Sequence, residues 1–188
     1  LSYGQAFRLW HGRRLGCRHL GRHSQRPLQF MRQIVRGANG AGERVGEGVW
    51  LVADRQSAGR GRQGRTWFDG FGNFMGSTVV RPGPHDPPAP TLALLAGLAL
   101  YEAVAPLLAD PSSLSLKWPN DLLVGRAKLA GILLEREGDA VIVGIGVNLA
   151  RAPQVEGRDT IALSAFGPAP DRDSFAQALS ASFDRELD

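Results

Sequence analysis

Between residues 54 and 67 the chain reads Asp-Arg-Gln-Ser-Ala-Gly-Arg-Gly-Arg-Gln-Gly-Arg-Thr-Trp, so that Arg60, Arg62 and Arg65 are interleaved with Gly59, Gly61 and Gly64. Glycine lets a backbone turn tightly and come close to a ligand, and arginine brings a permanent, forked positive charge. A loop of this kind is suited to holding anions. Further on stands a second cluster, Lys117-Trp118-Pro119-Asn120-Asp121, followed by Lys128-Leu-Ala-Gly-Ile-Leu133 and by Gly144-Ile-Gly-Val-Asn148.

Each piece also has an ordinary explanation. Arginine-glycine segments bind RNA through charge and stacking when they are disordered; this one is short, lies between two apolar runs and is closed by Trp67 and Phe68. Lys117 could simply pass its stem beside Trp118 to solvent. Asn120 and Asp121 suit a plain turn in which both side chains bond nearby backbone. Lys128 is a lone lysine entering an apolar run, and Asn148 closes another.

The elements that must position these residues can be read from the apolar pattern. Val49–Ala53 is a short, wholly apolar run that suits a buried strand, and residues 73–80 form a second strand. Residues 82–90 hold five prolines and must be a loop. Thr91 is expected to cap a helix running to Ala105, rich in helix formers and apolar nearly all round, hence packed against a sheet. Residues 114–118 alternate as a strand, 122–124 resume it, and 128–137 and 140–149 form two more strands joined by Gly138-Asp139, a hairpin signal. A last amphipathic helix, capped by Asp173 or Ser174, places Phe175, Leu179 and Phe183 on one face. The pattern predicts an α+β domain: a mixed, largely antiparallel sheet with helices packed on one side. No internal repeat is present.

Composition narrows the possibilities further. The 188 residues suit one domain, and 43% apolar content can fill a core. The most apolar stretch is interrupted by Glu102 and Pro106, so no membrane span is expected. A lone Cys17 cannot form an internal disulfide, in keeping with the expected cytoplasmic location and equally with many other settings. The formal charge of +4 is unevenly spread: residues 1–36 contribute +8 through eight arginines and no acid, leaving the remainder at −4. The high isoelectric point therefore reflects one end rather than a patch, and no nucleic-acid partner is expected. Residues 1–48 read as an atypical arginine-rich segment without sustained periodicity, either a basic or targeting arm or a non-native, misread or poorly ordered terminus, with the latter favoured. The domain proper is expected over residues 49–188.

Taken together and in order, Gln56-Ser-Ala-Gly-Arg-Gly-Arg-Gln-Gly-Arg65, Lys-Trp-Pro-Asn-Asp, Lys-Leu-Ala-Gly-Ile-Leu and Gly-Ile-Gly-Val-Asn resemble the catalytic core of biotin protein ligases. The resemblance covers about Val49 to Leu149. It implies a biotin/lipoate ligase-like fold related to class II aminoacyl-tRNA synthetase cores, and an ATP-dependent activation of biotin as biotinyl-5′-AMP. The biotinyl group would then pass to a lysine of a biotin carboxyl carrier protein such as an acetyl-CoA carboxylase subunit. By this resemblance Gln56, Arg60, Gly61, Arg62, Lys128 and Gly131 would contact biotin, while Arg62, Arg65, Trp67, Lys117, Asn120 and Asn148 would serve ATP or the adenylate. Lys117, Arg62 and Lys128 would be the catalytic groups. Mg²⁺ would arrive with ATP, since no direct metal cluster is legible.

The resemblance also has departures. The family's Ser-Thr-Asn element, which bonds the ureido ring, does not occur before Val49, and the small β-barrel that usually follows the core is not expected within these 188 residues. A fragment or imperfectly translated ligase is the expectation. Nothing in residues 1–48 reads as a helix-turn-helix repressor, so no operator binding is expected, and a homodimer is left open. The alternatives are a lipoate-type ligase, against which the Gly-Arg-Gly-Arg-Gln-Gly-Arg loop speaks, a nucleic-acid-binding module, and a catalytically dead relative that retains the adenylate.

Overall fold

The computed structural model describes residues 7–11, 14–20, 31, 32, 35, 46–56, 59–68 and 70–188, with the backbone alone for 7–20. Most of the arginine-rich segment 1–48, Ser57 and Ala58 within the arginine-glycine loop, and the Cys17 side chain lie outside the described residues.

Apolar runs pair side by side into one large sheet. Its strands are β1 (Phe7–His11), β2 (Arg14–Leu20), β3 (Val49–Ala53), β6 (Phe74–Val80), β7 (Leu114–Lys117), β8 (Asp121–Val124), β9 (Ala127–Glu137) and β10 (Ala140–Val147), in the order β2-β1-β3-β6-β10-β9-β8-β7. A separate small hairpin consists of β4 (Gly59–Arg60) and β5 (Thr66–Trp67). Every pairing between these strands is antiparallel, and the one parallel pairing among the described residues is the isolated bridge of Lys128 to Thr160. The expected mixture therefore reduces to that single bridge. The β9–β10 hairpin turns at Gly138, whose φ of +62° is open to glycine and strained for other side chains.

Alternation along β3 explains how the sheet is covered. Trp50 and Val52 enter a core shared with helices α1 (Leu92–Val104) and α2 (Arg172–Leu187), whereas Leu51 and Ala53 point to the other face. On the helical side Trp50 meets Phe183 edge-on at 5.5 Å and Phe74 meets Phe175 at 5.4 Å, a geometry favoured by the aromatic quadrupole. On the other face Met31 and Val35, helical in backbone, pack with Leu51, Met75, Val79 and Ile142. Helical cover is thus not confined to one side. Ala89–Leu107, which contains α1, is long and apolar enough to cross a membrane by length and composition. Its Ala96, Ala99, Leu100 and Val104 are nonetheless fully buried, and it packs as a core helix against α2 and the sheet.

Three local expectations are corrected. Alternation was not legible before Val49, yet β1 pairs with β3 along its whole length, from Phe7 opposite Ala53 to His11 opposite Val49. Thr91 does not cap α1: it already has helical backbone, and its hydroxyl donates to the Pro88 carbonyl, because a 3₁₀ turn over Ala89–Thr91 precedes the helix. The α2 cap is Asp171 rather than Asp173 or Ser174; its carboxylate accepts from Ser174 N at 2.8 Å and from Ser174 Oγ at 3.0 Å. These bonds, the backbone one first, hold the Asp171 carboxyl below its usual range.

Because Phe183 is 2% exposed and abuts Trp50, Phe183→Ala should cost about 3–5 kcal/mol of unfolding free energy, measured by urea denaturation. A loss below about 1 kcal/mol would mean that the two faces of this core are not joined as described.

Candidate functional site

The pocket lies on the sheet face opposite α1 and α2, and a β-bulge makes it possible. Between β8 and β9 the register slips: Asp121 faces Gly131 and Leu122 faces Ala130, but Leu123 faces Lys128. One extra residue on β9 reverses side-chain parity. Leu129 and Ala130 consequently both enter the core, while Lys128 and Gly131 both face the pocket.

Its floor is bare backbone. Gly131 and Gly146 stand opposite each other on β9 and β10. A Cβ at Gly131 would come within 2.9 Å of Trp67 Cζ3 and 3.1 Å of Lys128 Nζ, and one at Gly146 within 2.6 Å of Trp67 Nε1. The Trp67 indole therefore occupies space that any other residue pair would fill. Lys128 Nζ sits 5.5 Å from the centroid of the same ring, a cation–π distance.

The arginine-glycine loop folds as a compact hairpin. Gly59 pairs with Trp67 and Arg60 with Thr66, Gly61 N donates to Arg65 O at 2.7 Å, and a 3₁₀ turn over Arg62–Gly64 closes the end. Arg60, Arg62 and Arg65 are exposed on it, and among the described residues no ion pair engages them. Their charge remains available to a ligand. Arg172 at the start of α2 pairs with Asp54, which ties the root of this loop to the helix layer two residues before the buried Gln56.

The two asparagines are held by their own backbone surroundings. Asn120 Nδ2 donates to Ile132 O at 3.1 Å, and its carbonyl accepts from Ile132 N at 2.8 Å. Asn148 Nδ2 donates to Ile161 O at 3.1 Å, but its buried Oδ1, like Trp67 Nε1, has no hydrogen-bond partner among the described residues. An unmet buried acceptor is costly, so this oxygen is poised for a ligand N–H or O–H.

All eleven residues singled out from the sequence, Gln56, Arg60, Gly61, Arg62, Arg65, Trp67, Lys117, Asn120, Lys128, Gly131 and Asn148, line one cleft of about 920 Å³. Several contributors were not legible. Asp121 was read as a turn residue; it begins β8 and lies 2.6 Å from Lys128 Nζ. Arg158 reaches the cleft from a segment without periodicity. Asn73, 1% exposed, accepts from Ala150 N and Arg151 N at 3.0 Å each and so fixes the turn after Asn148. Gly146 could have been found, because glycine at alternate positions 144 and 146 of an apolar strand marks a face kept free of side chains.

A cleft lined by six cationic side chains, with a glycine floor and no cluster of three metal-ligating side chains among the described residues, defines a binding domain for an anionic, partly apolar ligand. The Biotin/lipoate A/B protein ligase family model matches residues 44–149. With more than half its length inside that match, the chain belongs to this family. It is 44% identical over 148 residues to a biotin–acetyl-CoA-carboxylase ligase of Paracoccus denitrificans, an alignment covering 73% of this chain and 62% of that relative. Among solved structures it is similar to a biotin protein ligase of Leishmania major in complex with biotin, with TM-score 0.74 and 29% identity over 85% of this chain and 69% of that one. It is also similar to a biotin protein ligase of Aquifex aeolicus in complex with biotin and ATP, with TM-score 0.68 and 34% identity over 76% and 62% of the two chains.

Gly146→Ala tests the floor directly. The added methyl should displace the indole, raising acrylamide quenching of tryptophan emission above that of wild type while far-UV circular dichroism is unchanged. Combining it with Trp67→Phe should abolish that increase; an increase that persists would place the displaced ring elsewhere.

Proposed function

We propose that this chain is the catalytic core of a biotin protein ligase, acting on biotin and ATP and then on a carrier protein. In the first step a biotin carboxylate oxygen attacks the α-phosphorus; the bond to pyrophosphate breaks and biotinyl-5′-adenylate forms. In the second a carrier lysine amine attacks the acyl carbonyl and AMP departs. The observation that carries this reading is the convergence of all eleven motif residues on one cleft, in a family whose similar members include enzymes named for joining biotin to acetyl-CoA carboxylase. The chain spans 62% and 55% of the two relatives so named, so the complete activity is inferred for it.

The main obstacle is repulsion between two anions that must approach to about 3 to 3.5 Å. At roughly 4 Å and an effective dielectric near 20, each unit pair costs about 4 kcal/mol. Cations offset this: Lys117 at the end of β7 and Lys128 at the bulge of β9 stand on the sheet, and Arg60, Arg62 and Arg65 on the hairpin. We assign Gln56, Arg60, Gly61, Arg62, Lys128 and Gly131 to biotin and its carboxylate, and Arg62, Arg65, Trp67, Lys117, Asn120 and Asn148 to the nucleotide. Arg62, Lys117 and Lys128 are the catalytic charges, acting by position and electrostatics. The free Asn148 Oδ1 suits an N–H donor on the nucleotide. Since no group of three His, Cys, Asp or Glu side chains gathers among the described residues, Mg²⁺ would be held by the nucleotide phosphates, where it supplies charge neutralisation. The hairpin's arginines, without ion pairs among the described residues, would close over the adenylate and keep water from the anhydride. The partner is a biotin carboxyl carrier protein and the compartment the cytoplasm, in line with the lone Cys17.

Incubating the chain with biotin, Mg²⁺ and α-labelled ATP should yield biotinyl-adenylate, resolved by thin-layer chromatography; lipoate in place of biotin should yield much less. Lys117→Ala should slow pyrophosphate release by about 100-fold or more and leave the unfolding midpoint nearly unchanged, because Lys117 is exposed. Release at the wild-type rate would remove Lys117 from the chemistry.

A further inference from the structure

Asp121 engages two cations at once. Its Oδ1 lies 2.6 Å from Lys128 Nζ and its Oδ2 3.9 Å from Arg158 Nη1, and the carboxylate side chain is only 11% exposed. Neither Asp121 nor Arg158 has a role in the reading above. Three separate pieces of backbone bring the trio together. Asp121 opens β8 opposite Gly131. The bulge turns Lys128 to the pocket. The segment 159–161 then binds the Lys128 backbone on the side the bulge leaves open: Lys128 N donates to Asp159 O at 2.8 Å and Ile161 N donates to Lys128 O at 3.0 Å. This docking delivers Arg158 to Asp121.

A carboxylate inside a pocket meant for anions is unfavourable unless it serves the cations around it, since it repels the substrate. Here one negative charge stands between two positive ones, and the cluster as a whole remains positive. We propose that Asp121 is a positioning residue: it fixes the Lys128 ammonium in the pocket beside Trp67 and Gly131 and keeps it charged, while Arg158 balances the carboxylate so that incoming anions still meet positive potential. This inference rests on the reading of the cleft as one that activates biotin.

The groups facing Lys128 are Asp121 from β8, Arg158 from the docked segment, and Arg65 and the Trp67 ring from the hairpin. Burial is the main influence lowering its pKa; the Asp121 hydrogen bond and charge work against that, and Arg158 and Arg65 lower it further. The sign of each substitution follows. Asp121→Asn deletes the group that raises the pKa, so Lys128 loses its proton at lower pH. Arg158→Ala deletes a group that lowers it, so the proton is held at least as well.

Pyrophosphate release from biotin and Mg²⁺-ATP, followed from about pH 6 to 10, separates these effects from simple damage. In Asp121→Asn the alkaline limb should move down by about one pH unit or more, a roughly tenfold loss on that limb with a much smaller loss near neutrality. Asp121→Glu should recover part of the shift, and Arg158→Ala should leave the limb in place or raise it. An Asp121→Asn limb that does not move, a uniform loss at every pH, or an Arg158→Ala limb that falls as far would overturn the proposal. If wild type releases no pyrophosphate, the biotin-activating reading fails instead. Lysine-selective ¹³C NMR of the Lys128 titration then decides the inference alone: a midpoint lowered in Asp121→Asn supports it, and an unchanged one overturns it.

Discussion

Two strands approach without side chains between them at Gly131 and Gly146, and the rest of the site depends on that bare patch. The Trp67 indole lies where Cβ atoms would otherwise stand, which fixes the base of the arginine-glycine hairpin against the sheet. Lys128 then shares the ring with the hairpin, and the pocket gains its depth from the same missing atoms. Substituting either glycine would therefore disturb the floor, the hairpin and the lysine together.

Electrostatics then divides the pocket into two kinds of cation. Lys128 is committed before any ligand arrives, held by Asp121 within a part-buried cluster, where removing one partner of a pair is costly. Arg60, Arg62 and Arg65 sit exposed on a small hairpin without ion pairs among the described residues. A charge already held in place can orient a ligand on arrival, and exposed ones on the hairpin can engage it afterwards. The arrangement suits chemistry that must overcome repulsion between anions while still admitting them.

Stability and function are drawn from opposite faces of one sheet. The helical face is filled by Trp50, Phe74, Leu100, Phe175, Leu179 and Phe183, and it needs nothing from the pocket. The pocket face trades packing for space at Gly131, Gly144 and Gly146, while Met31 and Val35 pack on it against Leu51, Met75, Val79 and Ile142. Asn73 and Arg172 connect the two, one by fixing the turn after Asn148 and the other by anchoring Asp54 before Gln56.

Much was already present in the linear order of residues. The apolar runs specified β3, β6, β9, β10 and the helix α1 to within a residue or two, and the existence and buried face of α2, because a half-buried strand or helix imposes its period on the chain locally. The alternation of arginine with glycine, and the four motifs in succession, named every side chain proposed for substrate contact and the family to which the chain belongs. Only the tertiary structure decided what those side chains meet. A one-residue bulge at Lys128 reverses which face it shows, and its signature is a register between two strands rather than a pattern within one. Asp121 looked like a turn residue until Lys128, seven positions on, was folded against it. Arg158 and the strands β1 and β2 carried no periodicity, since they are placed by backbone pairing, of β1 with β3 and of segment 159–161 with Lys128, and such bonds leave no mark on residue type.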